Sequence, residues 1–251
     1  MILTLGRFQL IVKIWPSLIF LVCCSILIKL GLWQLDRAEL KQNRQQKLAM
    51  LNSQNRVNLT ELLDKSVVWA KYQDVKVNLT GSVVKPFVWF IENQVVDNQV
   101  GADCIVAVEV KSGNKAYYLL LNLGWVAINQ NRQPILPNVI TERVENLAVR
   151  LVVPKHNYFM GTQIIAGKTY SFIQQVDIEV LSKSANLEFL PILAVVDDFS
   201  VDAFKPHWQP IVMPAKKHYG YAIQWFGLAG ALSIIILIKA GRWNKSIQQK
   251  Q

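Results

Sequence analysis

The chain has three histidines, His156, His207 and His218. They are too few and too scattered for a zinc motif, which needs several Cys or His ligands at short spacing. His218 alone stands in a pattern. On a helix, His218, Tyr221, Ala222 and Trp225 fall at i, i+3, i+4 and i+7 and share one face. An imidazole there can ligate a haem iron, Ala222 leaves space for a flat macrocycle, and Tyr221 and Trp225 can pack against it. Lys216, Lys217 and Arg37 are candidates for the haem carboxylates. The same residues also fit a plainer reading, an aromatic belt with an interfacial histidine. The residues alone leave both open.

Other chemistry was sought and is missing. Cys23 and Cys24 are adjacent within an apolar run and Cys104 stands alone in an expected strand, so there is no C-x-x-C for copper, haem attachment or dithiol exchange. All three read as buried small apolar residues. No G-x-S-x-G, Walker or dinucleotide fingerprint occurs. Asp197-Asp198 lacks a third ligand at useful spacing and reads as a solvated turn. Asn58-Leu59-Thr60 and Asn78-Leu79-Thr80 match the glycosylation triplet, and neither supports a function. The expectation is a protein that is not an enzyme.

The candidate residues lie beside two apolar runs. Residues 14–35 are interrupted only by Lys29, and 22 residues at about 1.5 Å each reach about 33 Å, enough for a ~30 Å hydrocarbon layer. Lys29 is close enough to the end of the run to snorkel, and Trp33 suits the interface. Residues 219–238 carry no charge, with Tyr219, Tyr221 and Trp225 in the first two turns. These runs account for a hydrophobic fraction of 52% beside only 18% charged residues in a chain of 251. No small-x-small cleavage site follows the first run, and Leu21-Val22-Cys23-Cys24 lacks the small residue expected before a lipidated cysteine, so retention is expected.

Orientation follows from the basic residues. Arg7 and Lys13 precede the first run, and Lys239, Arg242, Lys245 and Lys250 follow the second, with no acid at either end. Both tails are therefore expected in the cytoplasm. With Lys29, seven of the 27 basic residues belong to spans and tails, leaving 20 beside all 17 acids in the middle. The net charge of +10 is mostly topology, not the footprint of a nucleic-acid partner. Only 13 residues precede the first span and they are no Arg-rich presequence, which favours a bacterial inner (plasma) membrane with a periplasmic central domain.

Between the runs, residues 36–51 are rich in helix formers and place Leu40, Leu48 and Leu51 on one stripe, extending the first helix. Asn58-Leu59-Thr60-Glu61 resembles the start of a short helix. From Tyr72 the period becomes two, with Val75, Val77 and Leu79 alternating against Asp74, Lys76 and Asn78 up to Gly81. Further strands are expected at 87–91, at 104–110 and 117–128 around a hairpin turn, and at 147–153, 171–176 and 190–196, with a short helix capped by Asp177. The expected fold class is membrane α+β: two transmembrane helices, N- and C-terminal, flanking an antiparallel β-rich extracytoplasmic domain. Its divisions are a tail at 1–13, a span at 14–35, the domain at 36–218, a span at 219–238 and a tail at 239–251.

Three stretches together resemble the surfeit locus protein 1 family of cytochrome c oxidase assembly factors. Leu30-Gly31-Leu32-Trp33-Gln34-Leu35-Asp36-Arg37 is similar to its L-G-x-W-Q-x-x-R at the exit of the first span. Leu121-Asn122-Leu123-Gly124-Trp125-Val126 is similar to its V-N-R-G-W-V, and His218 to Phe226 is similar to its H-x-x-Y-A-x-Q-W-F. Each motif is short, but their order and placement agree over nearly the whole chain.

The resemblance implies a non-enzymatic accessory protein that helps deliver or retain haem a, bound transiently, while the oxidase's catalytic subunit matures. It implies that subunit and haem a synthase as partners, and His218 as haem ligand. Two departures accompany it: Leu123 stands where the family usually has Arg, and Gln94 replaces a second Arg. Haem a is hydrophobic with two carboxylates, so a carrier should hold it at the lipid boundary with the carboxylates near cations. Trp33, Arg37, His218 and Trp225 at the outer ends of two spans would serve. The alternative is a membrane scaffold whose β-rich domain binds an envelope partner without haem.

Overall fold

A computed structural model of the chain describes residues 2–5, 8–11, 14–63, 68–136, 142–167, 169–197 and 204–243. Arg7, Lys13, Asp198, Lys245 and Lys250 lie outside the described residues. In chain order the elements are β1 (Ile2–Leu5), β2 (Phe8–Ile11), α1 (Ile14–Asn52), β3 (Val57–Asn58), α2 (Leu59–Leu63), β4 (Lys76–Val96), β5 (Gln99–Ser112) and β6 (Lys115–Ala127). There follow β7 (Arg143–Val152), β8 (Ile165–Ala166), β9 (Ser171–Ile173), α3 (Ile178–Ala185), β10 (Phe189–Val196), α4 (Ala215–Ala240) and β11 (Gly241–Trp243). The chain divides into two compact units, Met1–Lys47 with Ile211–Gln251, and Leu48–Pro210.

The first unit is built on α1 and α4, both long and apolar enough to cross a membrane. Pro16 falls in the first turn of α1, where its missing N–H breaks no helical bond, and the helix runs on through the expected extension. On α1 the better-shielded positions Ser17, Phe20, Cys24, Leu27, Gly31, Gln34 and Ala38 recur in steps of three and four. On α4 the matching series is Ala215, His218, Ala222, Trp225, Ala229, Leu232 and Ile236. A 3.5-residue repeat on both helices is the seam of a coiled-coil-like pair. The pair is antiparallel: the Cys24 thiol meets the Ala229 carbonyl at 4.0 Å and Ser233 Oγ at 3.8 Å, while Gln34 meets His218. Small residues let the backbones approach, and a Cβ on Gly31 would lie 2.6 Å from the Phe226 ring. Away from the seam, Leu18, Ile19, Val22, Ile26, Ile223, Ile234 and Ile238 are exposed. An apolar surface of that size needs a cover other than water. The segments expected as short tails contain β1, β2 and β11, which pair antiparallel.

The second unit is a mixed sheet. β4 pairs with β5 along one edge and with β7 along the other, and the ladder continues from β5 through β6 and β10 to β7, so these five strands close on themselves. Most pairings are antiparallel, but β10 with β6, β9 with β4 and β3 with β4 are parallel. The expected antiparallel, β-rich domain is present, with these three parallel pairings added to it. Parallel neighbours come from crossover connections, and strand period cannot show where a chain returns. Inside the ring lie Val77, Leu79, Phe90, Cys104, Val106, Val108, Leu119, Leu121, Val149, Leu151, Ile192 and Ala194. Outside it, Leu181 and Ala185 of α3 cover Trp89, Ile105, Ala107, Leu120, Leu193 and Val195. Burial on both faces explains why β5 and β6 read as continuous apolar runs. β4 joins the two strands expected at 72–81 and 87–91, and the hairpin turns at Gly113, whose φ is +56°. Asp177 caps α3 by accepting from Val180 N at 3.2 Å, as expected.

Asp197 is not in a solvated turn. Its carboxylate bonds Arg150 at 2.9 Å and Lys76 at 2.5 Å. Arg150 is buried and also donates to the Asp74 carbonyl and to Asn52 Oδ1. Burial pushes the Asp197 carboxyl up, but the hydrogen bonds and charges of Lys76 and Arg150 outweigh it and hold the group below the ordinary carboxylate range.

Candidate functional site

His218 lies on the first turn of α4, in the seam against α1. Its Nδ1 is 2.8 Å from Gln34 Oε1. An amide oxygen only accepts, so Nδ1 carries the proton and Nε2 the lone pair. Nε2 is buried and, among the described residues, has no hydrogen-bond partner. Leaving a buried acceptor unmet costs about 1–3 kcal/mol, so this atom calls for an explanation. Tyr219, on the next turn position, donates to Gln42 Oε1 at 3.0 Å and ties the same two helices.

The other nominated residues divide. Arg37 lies over the Trp33 ring, 5.5 Å from its centroid, so this pair is assembled one turn apart on α1. Tyr221 is exposed and Trp225 half-buried on α4, while Lys216 and Lys217 are exposed. Ala222 is 1% exposed, so the space expected beside it is filled by packed protein. Residue type gives Gln34 no functional role, although it stands inside the 30–37 stretch. The signal that finds it is the 3.5-residue repeat, which puts positions 34 and 218 in the same seam.

The middle motif forms a second polar cluster, within the domain. Asn122 Nδ2 donates to Asp103 Oδ2 at 3.0 Å, and Asn122 Oδ1 accepts from Gly124 N at 2.8 Å. His207 Nε2 meets Asp103 Oδ1 at 2.6 Å, and Asp103 and Asn122 are both buried. The hydrogen bond and charge of Asp103 push the His207 pKa up, against the opposing effect of burial. Gly124 has φ +123°, and a Cβ there would stand 2.9 Å from the Lys205 carbonyl, so glycine is required. Trp125 Nε1 donates to the Gln94 carbonyl at 3.1 Å, and Trp125 pairs through its backbone with Lys205. The motif therefore fastens the segment at 204–208 to β5 and β6. Leu123 is fully buried in the ring, and Gln94 turns its amide to the Glu92 carbonyl, while Arg132 donates to Asn93 Oδ1 at 3.2 Å. Burial pushes the Cys104 thiol far up, with Asp103 adding to it, so no reactive thiolate forms there.

Among the described residues, no three His, Cys, Asp or Glu side chains gather as a metal site. One domain cleft is lined by Phe87, Trp89 and Tyr170, another by Pro154, His156 and Glu179, and neither includes a nominated residue. A comparison with curated protein sequences gives no match. The sequence profile of the SURF1 family matches residues 21–230, from within the first apolar helix to within the second.

Proposed function

We propose, from the premise that the chain belongs to the SURF1 family, that it is a membrane-anchored, non-enzymatic assembly factor for haem-copper cytochrome c oxidase. The family is associated with cytochrome oxidase assembly, and the proposal specifies the contribution: His218 holds haem a transiently while the catalytic subunit matures, in contact with that subunit and with haem a synthase. The observation that carries it is the buried Nε2 of His218, a lone pair with its opposite nitrogen committed and no partner of its own among the described residues.

Those features suit an iron ligand: His218 would hold the haem through Nε2, and the iron would supply a Lewis-acid centre for the imidazole lone pair. His218 presents the right tautomer without reorganisation. Arg37, three residues after Gln34 on α1 and held over Trp33, brings a guanidinium suited to a carboxylate. Nε2 is buried, so His218 becomes available only when the ends of α1 and α4 part locally. That coupling of access to opening suits a carrier that must load and release.

In this reading the chain sits in a bacterial inner membrane with α1 and α4 spanning, both termini cytoplasmic and the β-rich domain periplasmic. Two long helices with apolar stretches and exposed outer faces support the anchoring, and basic residues beyond the spans support the orientation. The test is His218→Ala: haem recovered with the purified protein should fall at least about tenfold, as loss of the iron ligand would require, and membranes should lose the haem a signal in difference spectra. Unchanged recovery sinks the ligand role. Normal oxidase content in cells lacking the gene would instead favour the scaffold.

A further inference from the structure

The behaviour of His218 Nε2 is set from the other helix. Gln34 Oε1 is 2.8 Å from Nδ1, and no other hydrogen bond holds the ring among the described residues. Without that acceptor the single proton of a neutral imidazole can sit on either nitrogen, and half of the choices block Nε2. The group behind a ligating histidine also sets its strength, because an acceptor that draws on the Nδ1 proton raises the basicity of the opposite nitrogen. A carboxylate draws strongly; a neutral amide draws weakly. The nearby acids of α1, Asp36 and Glu39, are exposed and lie off the seam. The residue in the seam is neutral.

We propose that Gln34 is the positioning residue of the haem site: it fixes His218 in the Nδ1-protonated tautomer and, being uncharged, keeps the imidazole a weak enough ligand for haem to be given up. This rests on the reading of His218 as haem ligand. It assigns the releasing character of a carrier to one amide, where a carboxylate in the same place would draw on the Nδ1 proton more strongly and slow release.

The full-length protein in detergent decides it, with iron protoporphyrin IX as the probe and Gln34→Leu, Gln34→Glu and His218→Ala as variants. In the haem-free state, histidine-selective 15N spectra should show His218 as one tautomer in the wild type and in Gln34→Glu, and as a mixture in Gln34→Leu. Three histidines make the assignment tractable. With the probe, Gln34→Leu should bind about tenfold more weakly. Gln34→Glu should bind at a lower reduction potential and release to excess apomyoglobin about tenfold more slowly. If His218→Ala keeps wild-type affinity and absorption spectrum, the haem reading itself fails. If His218→Ala loses binding while Gln34→Leu and Gln34→Glu match the wild type in tautomer, affinity, potential and release, the haem reading stands and the role of Gln34 is overturned. Gln34→Glu keeps the acceptor and the side-chain size, so an unshifted potential in that variant overturns the tuning even if Gln34→Leu fails to fold.

Discussion

At the scale of single residues, the domain holds its polar groups in pairs that cost little only while complete. Asp103 serves both Asn122 and His207, and Arg150 serves Asp197, the Asp74 carbonyl and Asn52. The His207 contact has a pH signature. Its pKa is raised by folding, so the folded chain holds that proton more tightly than the unfolded one. The contribution is complete below the ordinary imidazole value of about 6.5 and is lost as pH rises through the raised value. His207→Gln removes it. The wild type should therefore melt about 2–4 °C above the variant in mildly acid buffer, as a contribution of about 1 kcal/mol requires, and the gap should close in alkaline buffer. A gap that does not change with pH would show that the pair is not formed. Cys104, one position from Asp103, is kept a thiol by burial and plays no part in this titration window.

At the scale of elements, the informative unit is the α1 and α4 pair. A seam of Gly31, Ala38, Ala222 and Ala229 gives close packing, and the polar bonds of Gln34 and Gln42 sit near its end. Register is checkable because Cys24 Sγ and Ser233 Oγ are 3.8 Å apart. In a Cys23→Ser background, Ser233→Cys should form a disulfide with Cys24 under mild oxidation, read by mass spectrometry of the digested protein. Leu237→Cys, exposed on the outer face, should not. Equal cross-linking at both positions would overturn the register. Gly31→Leu should reduce the Ser233→Cys product, since its side chain must displace the Phe226 ring at a cost of about 1–3 kcal/mol.

At the scale of the whole molecule, the chain joins two units with opposite solvents. One exposes apolar helix faces, and the other buries its apolar residues inside and over a closed ring of strands. The charge follows the same division, with the excess of basic residues gathered at the chain ends. The turn at Gly113 has open space around it, which makes it a suitable insertion point. Alkaline phosphatase inserted there should be active in a bacterial host, and a fusion at the C-terminus should be inactive. An inactive but stably expressed insertion at Gly113 would reverse the orientation.

What local physics controls is legible in the residue order alone. Twenty uncharged residues at 219–238 can only be a buried or membrane helix, strict alternation from Val75 to Leu79 can only be a half-buried strand, and Asp177 before an amphipathic stretch is a cap. Residue order determined the position of His218 and the isolation of the cysteines for the same reason. The tertiary structure decided the partners. Whether the face bearing His218 and Ala222 looks outward or onto another helix depends on α1, nearly two hundred residues earlier, and only packing could place Gln34 at Nδ1 and leave Nε2 without a partner. It also decided that β10 returns parallel beside β6, that Leu123 points into the ring, and that Asp197 answers Arg150. Each is a contact between distant parts of the chain, and residue spacing encodes faces, not what those faces meet.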